Sequence, residues 1–165
     1  DLTMNSLLKL SSLLLLSMGA FAAHAASQSV TVNYTLTIPT VCTLSGNGTS
    51  INKTLPHEGT AVNQSIDVKC NVPYSIKAQS ANSKGVNQSA VISTANPTLN
   101  IPYNITLTGG PNAVNVNSGV PVTVAPSATT RTDSYTLSAK TPSAIAIEDY
   151  IAGIYTDAVM VEISY

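Results

Sequence analysis

Between Ser29 and Leu44 the chain reads SVTVNYTLTIPTVCTL. Val30, Val32, Tyr34, Leu36 and Ile38 alternate with Thr31, Asn33, Thr35 and Thr37. A period of two predicts a β-strand with one apolar face. Pro39 ends it, because proline has no N–H to give to a ladder. The same period recurs downstream. SIDVKC aligns Ile66, Val68 and Cys70, and YSIKA aligns Tyr74, Ile76 and Ala78 behind Pro73. LNIPYNITLT puts Leu99, Ile101, Tyr103, Ile105 and Leu107 on one face, with Pro102 on the other as the mark of an edge or bulge. VPVTV aligns Val120, Val122 and Val124, and YTLSA aligns Tyr135, Leu137 and Ala139. GIYTDAVMVEISY aligns Tyr155, Val159, Val161, Ile163 and Tyr165 as one last strand.

Turn residues separate these runs: SGNG from Ser45, PHEG from Pro56, GGPN from Gly109 and NSG from Asn117. Many short strands joined by polar turns predict an all-β sandwich or barrel. IAIEDYIAG, from Ile145 to Gly153, has room for one helical turn. The chain stops at Tyr165 inside a strong strand pattern, so the expectation is a sandwich with no strand after that one.

The first 25 residues have a different character. Lys9 precedes an apolar run from Leu10 to Ala23, and Ala23-His24-Ala25 has the small-x-small form of a cleavage site. This is the layout of a secretory signal peptide cut between Ala25 and Ala26. The alternative, a membrane anchor, needs roughly 20 apolar residues and a basic flank. Asp1, Leu2 and Thr3 lie upstream of Met4 and have no structural role in this reading. The expected organisation is therefore a leader over 1–25, a strand-bearing extension over 26–40 and a β domain over 41–165.

Composition narrows the chemistry. Seven basic and eight acidic residues give a net charge of −1, so nothing favours nucleic acid or an anionic membrane. Past the leader there is no Phe, no Trp and a single histidine, His57, beside Glu58 in a turn. No nucleophile elbow or phosphate loop is present, and Glu148 and Asp149 are adjacent rather than opposed. Asn33, Asn47, Asn52, Asn63, Asn87 and Asn104 lie in N-x-S/T triplets, which chance supplies in so Asn-, Ser- and Thr-rich a chain. The residues point to no catalytic site, no cofactor and no metal, and an enzyme is the disfavoured class. Cys42 and Cys70 are the only cysteines. In an exported chain an even count reads as a disulfide, which closes a loop worth about 3.5 kcal/mol in the chain-entropy model. A metal pair is the alternative, but two cysteines and one distant histidine make a poor zinc set.

These features together resemble bacterial chaperone–usher pilin subunits, and within them the group with a spore-coat-protein-U-type domain, which includes the archaic pili. The matching residues are the cysteine after the N-terminal segment in PTVCTL, the V-x-C strand end in VKC and the mid-chain YNITL. The last is the A-G-x-Y-x-D motif with the residues after it: Ala152, Gly153, Tyr155, Asp157, Val159, Val161 and Tyr165. The resemblance implies an incomplete immunoglobulin-like β-sandwich completed by donor-strand exchange. In that scheme Val30, Val32, Tyr34, Leu36 and Ile38 enter the groove of a neighbouring copy. Val159, Val161, Ile163 and Tyr165 form the C-terminal strand that lines the groove and meets a periplasmic chaperone before assembly. It further implies an outer-membrane usher, a fimbrium at the bacterial surface, a role in adhesion or biofilm formation, and a possible host or abiotic surface receptor. Three alternatives stay open: a strand 29–38 that pairs within its own domain, a secreted coat protein, and a receptor-binding adhesin subunit.

Overall fold

A computed structural model describes residues 27–126 and 130–165. The expected leader, with its expected cleavage between Ala25 and Ala26, lies outside the described residues. The chain divides at Thr37 and Ile38 into two units, a little earlier than the expected boundary at 40.

Among the described residues of the second unit, ten strands form two sheets. They are β1 (Cys42–Leu44), β2 (Val62–Cys70), β3 (Tyr74–Ser80), β4 (Ser83–Gly85), β5 (Gln88–Ser93), β6 (Asn100–Gly109), β7 (Val122–Val124), β8 (Thr132–Lys140), β9 (Tyr155–Thr156) and β10 (Val159–Ser164). The larger sheet runs β1-β2-β8-β6-β5-β4, with β9 also against β5; the smaller runs β10-β3-β7. Every pairing is antiparallel. Ile66, Val68, Tyr103, Ile105, Leu107 and Tyr135 of the larger sheet share one core with Tyr74, Ile76, Ala78 and Val124 of the smaller. The fold is thus the expected all-β sandwich. The alternation in β2 has a direct cause: Ile66, Val68 and Cys70 turn into the core while Ser65, Asp67 and Lys69 face water.

Pro102 sits where a proline is tolerated. It lies opposite Ala90 of β5, whereas pairing with β8 begins only at Asn104. Its missing N–H therefore points past the end of β8, away from β5. The GGPN turn has a sharper requirement. A Cβ on Gly109 would stand 2.6 Å from the Ser134 carbonyl, and one on Gly110 would enter the Tyr135 ring; both residues have positive φ.

Two expectations need correction. GIYTDAVMVEISY is two strands, not one: β9 joins the larger sheet and β10 the smaller, with the crossing at Asp157–Ala158. Val120 lies outside β7 and is exposed, because Gly119 at φ 72° and then Pro121 break the extended run. The single helical turn expected within Ile145–Gly153 is present as a 3-10 turn over Ile147–Asp149, and it carries Glu148 and Asp149.

The core contains a buried hydrogen-bond relay. The Tyr74 hydroxyl donates to Asp133 Oδ2 at 2.7 Å and lies 2.9 Å from the Tyr135 hydroxyl. Burial, then the bonds to Tyr135 and Asp133, push the Tyr74 phenol up. Burial raises Tyr135 against the opposing effect of its bond to Tyr74, and burial and the Asp157 bond raise Tyr103. The folded chain thus keeps three protons that the unfolded chain releases above about pH 10. Stability should be level up to about pH 10 and then fall by up to about 4 kcal/mol per pH unit. Denaturant unfolding recorded between pH 7 and 11.5 checks this; a level profile to the end of that range would contradict it.

Candidate functional site: an open sheet edge and an exposed strand-like segment

β10 is the edge strand of the smaller sheet. Its register with β3 runs from Val159↔Ser80 to Ser164↔Ser75. The Ala81 N–H donates to the Ala158 carbonyl at 2.8 Å, which makes that position a hydrogen-bonded pair. Alternation then directs the N–H and C=O of Met160, Glu162 and Ser164 toward β3. The N–H and C=O of Val159, Val161 and Ile163 point the other way, to an edge on which no strand among the described residues lies. An open row of donors and acceptors is a template for another strand.

The side chains agree with the backbone. On β3 the inward residues Tyr74, Ile76, Ala78 and Ser80 are fully buried. On β10 the inward residues Val159, Val161 and Ile163 reach only half-burial, although they pack on the same core. At the far edge of the larger sheet, Cys42 and Leu44 of β1, with Leu55 nearby in sequence, are likewise half-buried against that core. Each sheet thus presents a partly uncovered apolar margin. Tyr165 differs from the expectation. The ladder stops at Ser164↔Ser75, with Pro73 bounding β3 there, and Tyr165 is 65% exposed beyond it.

Residues 27–40 form no strand, and all of them are exposed. Val30 is 88% exposed, Tyr34 92% and Leu36 86%; Val32 and Ile38 are exposed as well. An alternating apolar face held in water is unfavourable by roughly 1.5–3 kcal/mol per large side chain.

Cys42 and Cys70 are directly paired across β1 and β2, with Cα atoms 4.2 Å apart, and form a disulfide. His57 is exposed, 3.7 Å from Glu58, and its carbonyl accepts the Ile145 N–H at 2.7 Å. Its environment is that of a surface loop. Among the described residues no three His, Cys, Asp or Glu side chains gather as a metal set would require.

Asp157 is the residue whose role the motif alone did not reveal. It lies where the chain crosses between sheets. Its Oδ1 accepts from the N–H groups of Asn82 (3.1 Å) and Ala158 (2.8 Å). Its Oδ2 accepts from the hydroxyls of Ser89 (2.5 Å) and Tyr103 (2.7 Å). These bonds fix where β9 ends and β10 begins, and hence the register of the open edge. Replacing Asp157 with Ala removes the acceptor of four donors and orphans the buried Tyr103 hydroxyl, while Ser89 keeps only the Asn82 carbonyl at 3.0 Å. A cost of about 3–5 kcal/mol follows. Tyr103→Phe should cost only about 1 kcal/mol, and thermal unfolding of both variants checks the order.

Among curated proteins none matches this chain. Among solved structures, one that resembles it is the CsuC–CsuE chaperone–tip adhesion subunit pre-assembly complex of archaic chaperone–usher Csu pili from Acinetobacter baumannii. The identity is 18% and the TM-score 0.47, over 78% of this chain and 40% of the other. This chain therefore spans less than half the length of that one. The family comparison is more extensive: the model of the Spore Coat Protein U domain matches residues 26–162, nearly all of the chain beyond the leader-like segment. The protein is a member of the Spore Coat Protein U domain family.

Proposed function

We infer that this protein is a structural subunit of a chaperone–usher pilus that polymerises by donating residues 29–38 to the β10 edge of a neighbouring copy. The observation that carries the reading is the open edge of β10 with its half-buried Val159, Val161 and Ile163. The exposed, alternating segment Ser29–Ile38 has the composition of the strand that would fill it. Domain-family membership and the A-G-x-Y-x-D motif support the same reading.

Donor and acceptor are different surfaces of one subunit, so the contact is heterologous and propagates into a filament instead of closing. Five apolar side chains at about 1.5–3 kcal/mol each bring about 8–15 kcal/mol as an upper figure. Such a polymer persists because it comes apart slowly. A periplasmic chaperone would cover the same edge until an outer-membrane usher hands the subunit on, and the filament would stand at the bacterial surface. Adhesion to a host or abiotic surface, and biofilm formation, would follow from exposed loops of the shaft. The protein acts by assembly and not by turnover.

The test is assembly itself. The chain from Ala26 to Tyr165, released from a co-expressed chaperone, should form filaments visible by electron microscopy that resist detergent at room temperature. The same chain without residues 26–38 should not. Monomers from both would favour a coat protein that uses the same domain without polymerising.

A further inference from the structure

The root of the exposed segment is held in an unusual way. Asn71 directly follows the disulfide-bonded Cys70. Its Oδ1 accepts the Val41 N–H at 2.8 Å, and its Nδ2 donates to the Pro39 carbonyl at 2.7 Å. Its own N–H donates to the Val41 carbonyl at 3.1 Å. One residue therefore binds three backbone groups within three residues of chain. The next residue along, Cys42, is tied covalently to Asn71's neighbour. On the other side, Pro39 has a locked φ and restricts Ile38 to extended conformations. Pro39, Val41 and Cys42 are each restrained, by a ring, by hydrogen bonds and by a covalent bond, and Ile38 is restrained through its proline.

β1 cannot supply this rigidity alone. It has three residues and, among the described residues, pairs on one side only. Pulling on Ile38 would peel so short a strand from its edge. The disulfide passes that load to β2, which pairs with β8 from Val62↔Ala139 to Lys69↔Thr132. Asn71 extends the hold from Cys42 back to Pro39.

We propose that Asn71 is the positioning residue of the subunit joint: it clamps residues 39–41 to the sandwich, so that the donated strand leaves in one fixed direction and neighbouring subunits keep a defined angle. This rests on the donor-strand reading given above. The hydrogen bonds of Asn71 go to Pro39 and Val41, outside the donated apolar positions 30–38, so its effect is on joint stiffness and not on whether strands pair.

The experiment compares the whole secreted chain, wild type, Asn71→Ala and Asn71→Asp, by amide hydrogen exchange at Val41 and by filament persistence length in electron micrographs. For Asn71→Ala, the Val41 amide should exchange about tenfold faster, and filaments should bend more, with the yield of filament unchanged. Asn71→Asp keeps the acceptor for Val41 but turns an oxygen toward the Pro39 carbonyl. It should leave Val41 protected and still shorten the persistence length. Unchanged exchange and unchanged stiffness in Asn71→Ala would overturn the clamp, as would loss of filaments with unchanged Val41 exchange. Absence of filaments in the wild type would defeat the donor-strand reading, and the clamp would still be judged by Val41 exchange.

Discussion

Grafting Ser29–Pro39 after Tyr165 through a short flexible linker should raise the melting temperature of the domain by tens of degrees. The comparison is with the same domain lacking 26–38. The size of the effect follows from what the graft covers. β10 directs the backbone groups of Val159, Val161 and Ile163 to an open edge, and their side chains are half-buried. A strand seated there pairs those groups and removes Val30, Val32, Tyr34, Leu36 and Ile38 from water. Even half of the upper figure of about 8–15 kcal/mol is large. A domain of this size shifts by roughly 2–8 °C per kcal/mol. If the trimmed domain melts as high as the grafted one, its sandwich is complete without a donor.

Leu36→Asp should block polymerisation while leaving the sandwich folded. In the free chain Leu36 is 86% exposed, so the substitution has nothing to disturb. In a neighbour's groove it would lose about 2 kcal/mol of burial and add a desolvated carboxylate worth several kcal/mol more. Since 1.4 kcal/mol is a factor of ten, association should weaken by more than a thousandfold. The variant still accepts a strand. Mixed with wild type it should end filaments, and mean length should fall as its share rises. Size-exclusion chromatography and electron microscopy read both effects. Filaments of normal length from Leu36→Asp alone would show that the segment is not the connector.

Much of the fold was legible because most strands have one wet face. Period two is visible wherever Ser, Thr, Asp or Lys must face water, as at Ser65, Asp67 and Lys69 in β2. It failed at β5, where Ser89 and Ala90 are adjacent and both fully buried, so no alternation exists to be read. It also failed at the final run. Tyr155 and Val159 share a parity, but Asp157 sends the chain from one sheet to the other between them. The sequence pattern registers apolar spacing and does not register a carboxylate that gathers donors from Asn82, Ser89, Tyr103 and Ala158. Asn71, Asn87 and Asn117 were obscured for the same reason. Asn117, at φ 63°, binds Ser80 and the Gln88 carbonyl, and Asn87 accepts the Val116 N–H. In a chain full of asparagine these read as ordinary loop residues. Of the site itself, the exposed segment and the apolar side of β10 were visible as patterns. The openness of that edge depends on long-range strand order, which local spacing does not encode.

The most direct test of strand donation is residue-resolved amide exchange along β10 in the wild-type chain after assembly and in Leu36→Asp. Met160, Glu162 and Ser164 face β3 and should be protected in both. Val159, Val161 and Ile163 should be protected only in the assembled wild type, exchanging at least about a hundredfold faster in the variant, the loss of one hydrogen-bonded edge strand. Equal protection of those three amides in both chains would mean that the edge is covered without a neighbour's strand, and would contradict the account.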